Sequence, residues 1–182
     1  RAGLRMLEAT ALVNLGREKE AEALLDQVPD LDQGDYRIQK LQFRAVLANR
    51  RGRTQEAEEL AGKIEELAAQ AGWEDGRREA FCLRCTARLK RGEADGLEED
   101  LRRYATCGGS LLSQVCDHLL LGRYCLAVGR TEEAREHLAF AAERGGPLYV
   151  GKEAAELLHA LLDKLGIIRA EYEYVHVLIR AE

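Results

Sequence analysis

The most regular feature of the chain is the spacing of apolar positions around a recurring glycine. Gly16 opens GREKEAEALL, Gly52 opens GRTQEAEELA, Gly92 opens GEADGLEEDL and Gly129 opens GRTEEAREHL. These glycines lie 36, 40 and 37 residues apart, and Gly166, in KLGIIRAEYE, follows after another 37 and keeps only the glycine. Five residues after the first four glycines come Ala21, Ala57, Leu97 and Ala134; nine after come Leu25, Ala61, Leu101 and Leu138; twelve after come Val28, Ile64, Tyr104 and Ala141. Offsets of 5, 9 and 12 share one helical face, so the pattern predicts an amphipathic helix after each glycine. Seven residues before the glycines stand Ala9, Ala45, Cys85, Gly122 and His159, four of the five being small, as a close approach of two helices requires. Each glycine then falls between two antiparallel helices and ends the first in the left-handed conformation that other residues resist. Glu18, Glu56, Asp95 and Glu132 fall near the starts of the second helices, where the helix dipole favours negative charge.

The remaining turns are expected at Pro29–Asp35, about Gln70–Gly76, Cys107–Ser110 and Gly145–Gly151. They leave ten helices in five hairpins, with no strand, in one all-α domain over residues 1–182. The units run approximately 1–30, 31–71, 72–108, 109–146 and 147–182. A single hairpin of this size cannot bury its own apolar face, so stacking on its neighbours supplies the core. The last segment, EYEYVHVLI, also has the β-branched and aromatic content of a strand, but the glycine register predicts a helix there.

The small residue in each first helix, the Leu-Gly-Arg or Val-Gly-Arg turn and the following Glu-Ala with its Leu resemble the tetratricopeptide repeat family. Units one, two and four carry the likeness clearly; units three and five carry it weakly. Residues 115–145 fit best, with Gly122 at the family's small glycine, Ala134 at its alanine and Leu138 at its large apolar position. The aromatic that often opens the first helix is mostly missing, although Phe81 can fill it in unit three. The closing proline is matched only loosely, by Pro29 and Pro147. The repeats are also longer than the usual 34 residues. The resemblance implies a right-handed α-α superhelix, a solenoid of about five hairpins with lengthened helices or turns. It further implies a non-enzymatic scaffold whose first helices line a concave groove for a peptide or protein segment.

Composition narrows the reading. The 182 residues are 46% hydrophobic, which is too apolar for a disordered tail. No run of about 18 apolar residues is present to span a membrane. The net charge of −5 argues against a nucleic-acid partner, which calls for a basic balance. Five cysteines set within apolar helical stretches do not form the spaced framework of a secreted disulfide domain, so a reducing, cytoplasmic setting is expected. The chain opens at Arg1, and a tag, a further domain or a membrane anchor upstream all remain open.

The column two before each glycine reads Asn14, Arg50, Lys90, Ala127 and Lys164, with Asn49 and Arg123 near the same face. We take Asn14, Asn49, Arg50, Lys90, Arg123 and Lys164 as the candidate peptide-binding residues of the concave face. Stacked cations and amides of this kind can receive a carboxylate or an acidic peptide. The negative end of a helix dipole accounts for Arg50, Lys90 and Lys164 on structural grounds alone. Cys82-x-x-Cys85 with Cys116 and His118 has zinc-ligand residue types, but Cys85 also belongs to the small packing column, and residues 116 and 118 of one helix point apart. The expectation is buried thiols and no metal or cofactor. Four histidines without an HExxH arrangement, and Ser110 and Ser113 without a nucleophile elbow, point to no catalytic residues. The surplus of apolar side chains near the C-terminus suggests contact with a partner or a second copy, through Tyr172, Val175, Leu178 and Ile179. The other class of function kept open is a sensory or assembly segment of a larger bacterial protein.

Overall fold

In the computed structural model, residues 2–28, 34–106 and 110–166 are described, without the side chains of Ala2, Asn14, Asp35 and residues 104–106. Among them are nine helices and no strand: α1 (Ala2–Asn14), α2 (Glu18–Asp26), α3 (Gly34–Arg50), α4 (Thr54–Ala71), α5 (Glu74–Lys90), α6 (Glu98–Thr106), α7 (Leu111–Ala127), α8 (Thr131–Gly145) and α9 (Tyr149–Leu165). The final segment, with Tyr172, Val175, Leu178 and Ile179, lies outside the described residues. The chain divides into two compact units, Arg1–Glu93 with α1 to α5 and Ala94–Glu182 with α6 to α9.

In unit 1, α1 pairs with α2, α3 with α4, and α4 with α5, while α3 also packs on α1, α2 and α5. In unit 2, α7 pairs with α8 and α8 with α9, and α6 packs on α7. The glycines make these pairs possible. Gly16, Gly52, Gly92, Gly129 and Gly166 all end a helix with positive φ, between 65° and 80°. Beyond four of them the chain folds back by the same hydrogen bonds. The backbone N–H of Arg17 donates to Leu12 (2.9 Å), Arg53 to Ala48 (2.8 Å), Glu93 to Arg88 (3.0 Å) and Arg130 to Cys125 (2.8 Å). These are the six-to-one bonds of a Schellman motif, which satisfy carbonyls that a helix end leaves open. The arginine carbonyl at once starts the next helix: Ala21 donates to Arg17, Ala57 to Arg53 and Ala134 to Arg130. One Gly-Arg dipeptide therefore stops one helix and starts the next.

The apolar columns form the core. Every described side chain at offsets 5, 9 and 12 is buried, as are Ala9, Ala45 and Cys85 before the glycines; His159 is half-buried. Ala48, Ala57 and Ala87 meet as a small cluster where α3, α4 and α5 converge. In unit 2, a Cβ on Gly122 would lie 2.7 Å from Cγ and from Cδ2 of Leu138, so α7 and α8 approach as only glycine allows.

Three expectations need correction. The helix after Gly92 starts at Glu98, because a second left-handed glycine, Gly96 (φ 73°), inserts another turn. Asp95 lies in that turn and outside the helix, and Leu97 holds the starting carbonyl, accepting from Leu101 at 3.0 Å. The 40-residue spacing from Gly52 to Gly92 lies before that turn and is filled by two long helices, α4 of 18 residues and α5 of 17. The expected Gln70–Gly76 turn shrinks to Gly72 and Trp73, because Gly72 ends α4 in the left-handed conformation and the Trp73 N–H folds back to Ala68. The turn expected at Gly145–Gly151 is confined to residues 146–148, and Gly151 belongs to α9, its backbone pressed against Gly145 and Gly146.

Candidate functional site

The candidate cations at the helix ends are drawn into bonds between successive repeats. Arg50, closing α3, donates from Nη1 to the Val13 carbonyl near the end of α1 (3.0 Å) and pairs through Nε with Glu18 (2.7 Å). Lys90, closing α5, donates from Nζ to the Asn49 carbonyl near the end of α3 (2.7 Å). Each cation therefore reaches the carbonyl that lies three residues before the glycine of the preceding repeat. The next residue repeats the logic with a carboxylate: Arg51 pairs with Glu22, and Arg91 with Glu58 (2.6 Å). Glu22 and Glu58 occupy the same place, six residues after their glycines. Charge at a helix C-terminus is thus satisfied by a neighbour's open carbonyl, which uses the dipole twice.

Asn49 is only 3% exposed, and its Nδ2 donates to the Leu83 carbonyl on α5 (3.0 Å). The structure brings Asn49, Arg50 and Lys90 together in unit 1, as parts of the packing between repeats. In unit 2, Arg123 is nearly buried and pairs with Glu153 on α9, while Lys164 is exposed in the last turn of α9. Asn14 ends α1, and its side chain lies outside the described residues.

A cationic surface stands elsewhere in unit 1. On α3, Arg37, Lys40, Leu41 and Arg44 follow the spacing of one helical face. On α4, Lys63, Glu66 and Leu67 do the same. The two faces bound a cleft of about 310 Å³ with four cations, one carboxylate and two leucines. Lys40 is only 7% exposed and donates from Nζ to the Val28 carbonyl (2.7 Å), which fixes it at the cleft wall. Arg44 pairs with Asp26 on α2 (2.6 Å). Arg37 and Lys63 stand in solvent on opposite helices. The spacing 37, 40, 44 on one predicted helix is a signal that the sequence reading passed over. Cations at the helix ends recur with the glycine and are therefore the more conspicuous in sequence.

The cysteine constellation falls into both units: Cys82 and Cys85 lie on α5, Cys116 and His118 on α7. Cys85 and Cys125 are buried and Cys82 and Cys116 half-buried. Among the described residues, no three His, Cys, Asp or Glu side chains are grouped to hold a metal. Ser110 is the N-cap of α7, its Oγ accepting from the Ser113 N–H at 3.2 Å. That is the ordinary use of serine at a helix start.

Among the described residues, the most strongly perturbed carboxyl is Glu98, at the start of α6. Arg130, Arg102 (3.0 Å) and the Tyr124 hydroxyl (3.0 Å) all donate to it and hold its pKa down to about 2. Arg102 reaches on to Glu133 (2.8 Å). This cluster joins α6, α7 and α8 and is saturated with partners, which suits it to holding unit 2 together.

No family model matches the chain, and no curated protein or solved structure matches it either. No helix among the described residues is long and apolar enough to cross a membrane.

Proposed function

We propose that this chain is a non-enzymatic interaction module, a tetratricopeptide-like solenoid that holds an acidic segment of a partner protein in the α3–α4 cleft. The observation that carries this reading is the cleft itself: Arg37 and Lys63 stand in solvent on its two walls, beside the partnered Lys40 and Arg44 and over two leucines, in a chain of net charge −5. Local charge opposite to the net charge focuses an acidic ligand on one place, and the leucines accept apolar side chains between its carboxylates. The helix-end column has weaker support as a ligand surface. Arg50, Lys90 and Arg123 already hold partners within the protein. The tetratricopeptide resemblance, with its left-handed glycines and its Gly122–Leu138 contact, supports the solenoid form.

The test is fluorescence anisotropy with a labelled peptide that alternates Glu or Asp with Leu. Binding should weaken steeply as salt rises, because exposed charge pairs are screened within about 10 Å at 0.1 M. Arg37→Glu with Lys63→Glu should weaken it on the order of tenfold or more, while Arg103→Glu on α6 leaves it unchanged. Equal affinity for the parent and the double variant would remove the cleft from the proposal.

A second reading is an assembly segment of a larger protein. It is favoured by Leu4 and Leu7 on α1, which are 72% and 69% exposed and one helical turn apart. Sedimentation of the parent and of Leu4→Glu with Leu7→Glu tests it. A parent that stays monomeric at high concentration argues against self-association through this stripe.

A further inference from the structure

We propose that His118 and His137 form a two-imidazole site for a divalent transition-metal ion of the zinc, nickel or copper class. The residues are 19 apart in sequence and sit on the antiparallel helices α7 and α8 of unit 2. Their Nδ1 atoms face each other at 3.1 Å, with ring centroids 5.0 Å apart and planes inclined by 66°. A metal–imidazole bond is about 2.0–2.1 Å. Two such bonds at an angle between square and tetrahedral place the nitrogens about 2.9–3.4 Å apart. The rings are therefore already spaced to share one ion.

Orientation is fixed on one side by Phe140, whose ring stacks on that of His118 at 4.0 Å and 24°. Both histidines are half-buried, which leaves an open side where water can complete the coordination shell. Burial holds both pKa values below the ordinary histidine range, with the charge of His137 adding to the effect on His118 and that of Arg102 to the effect on His137. Both rings are then in the neutral, ligating form at neutral pH. Arg102 is the cation that opposes a metal here, and its charge is engaged by Glu98 and Glu133. Glu133 and Glu136 act on His137 in the opposite, cation-favouring direction. Imidazole ligands without thiolate select zinc, copper or nickel over calcium or magnesium. Because no third described ligand joins them, the site is an open, two-ligand one.

The experiment is calorimetric titration of the metal-free full chain with zinc chloride and nickel chloride at about pH 7.5. One ion per chain is expected, with the affinity falling at about pH 5.5 as protons compete for the same nitrogens. His118→Gln and His137→Gln should each raise the dissociation constant on the order of tenfold. His159→Gln should leave it unchanged. The imidazole nitrogen resonances of the unmodified protein give a readout that needs no variant. His118 and His137 Nδ1 should shift together and saturate at one equivalent of zinc. Absence of binding up to millimolar metal, shifts confined to other histidines, or binding retained when both are replaced would overturn the proposal. The pair would then be a plain hydrogen bond, one Nδ1–H donating to the other ring.

Discussion

Glycine to alanine should have opposite signs at two helix-interior positions of this protein. Gly62 lies in the middle of α4, where a methyl group would meet nothing within 4 Å. Gly62→Ala there recovers the helix propensity that glycine lacks, about 0.5–1 kcal/mol. Gly122 is buried in α7, and its methyl group would stand 2.7 Å from two carbons of Leu138 and 3.5 Å from the Leu138 backbone nitrogen. Leu138 is itself fully buried, so yielding to the methyl group means displacing its packed neighbours. Overpacking of this kind costs about 1–3 kcal/mol, and two overlapping carbons place it in the upper part of that range. After the propensity gain, a net loss of about 1–2 kcal/mol is expected for Gly122→Ala. The assay is urea denaturation, with Trp73 fluorescence reading unit 1 and far-UV circular dichroism reading both units. Leu138→Ala alone should cost about 2–5 kcal/mol, and less in the Gly122→Ala background, where the new methyl fills part of the cavity. If Gly122→Ala stabilises as Gly62→Ala does, or if the two unit 2 substitutions are additive, the close approach of α7 and α8 is wrong.

Further outcomes follow from the same geometry. Gly129→Ala should cost about 1–2 kcal/mol, since φ there is 79° and a Cβ resists that region; Gly129→Asn should cost less, read from the urea midpoint. Glu98 has a folded pKa of about 2 against an ordinary 4.5, so it stabilises the fold above 4.5 and loses that contribution as pH falls towards 2. Glu98→Gln should accordingly flatten the acid side of the stability profile; a variant as acid-sensitive as the parent would show that the cluster does not hold unit 2. Ala57→Leu forces a large side chain among Ala48 and Ala87 and should cost about 1–3 kcal/mol, with faster limited proteolysis of unit 1.

The fold was largely legible because a left-handed glycine and the columns around it are local features. Ala57, Ala61 and Ile64 belong to one face of α4 wherever the helix is placed, and their burial follows from the period alone; Val28 keeps its buried place although α2 ends at Asp26. Unit three misleads because Leu97 is buried at the expected offset although it precedes the helix: Gly96 adds a turn without moving the apolar side chain out of the core. Partners were less legible. Arg50 and Lys90 are visible in sequence before Gly52 and Gly92, but their acceptors are carbonyls of the preceding repeat. Backbone carbonyls carry no residue identity. The α3–α4 cleft joins Arg37 to Lys63, and the histidine pair joins position 118 to 137. Both depend on the register in which two helices meet, which periodicity leaves undetermined.

The bonds between repeats in unit 1 have a consequence for how that unit melts. Neighbouring repeats meet through both kinds of contact: Leu47 packs among α1 and α2, Ala80 and Leu83 pack among α3 and α4, and Arg51–Glu22 and Arg91–Glu58 add partly solvated ions. Dissolved salt weakens such ion pairs and leaves apolar contacts in place. In a stacked array, cooperativity is the ratio of coupling between neighbours to the stability of each alone. Ionic strength therefore removes only the ionic part of that coupling, and the buried contacts of Leu47, Ala80 and Leu83 keep neighbouring hairpins unfolding together at high salt.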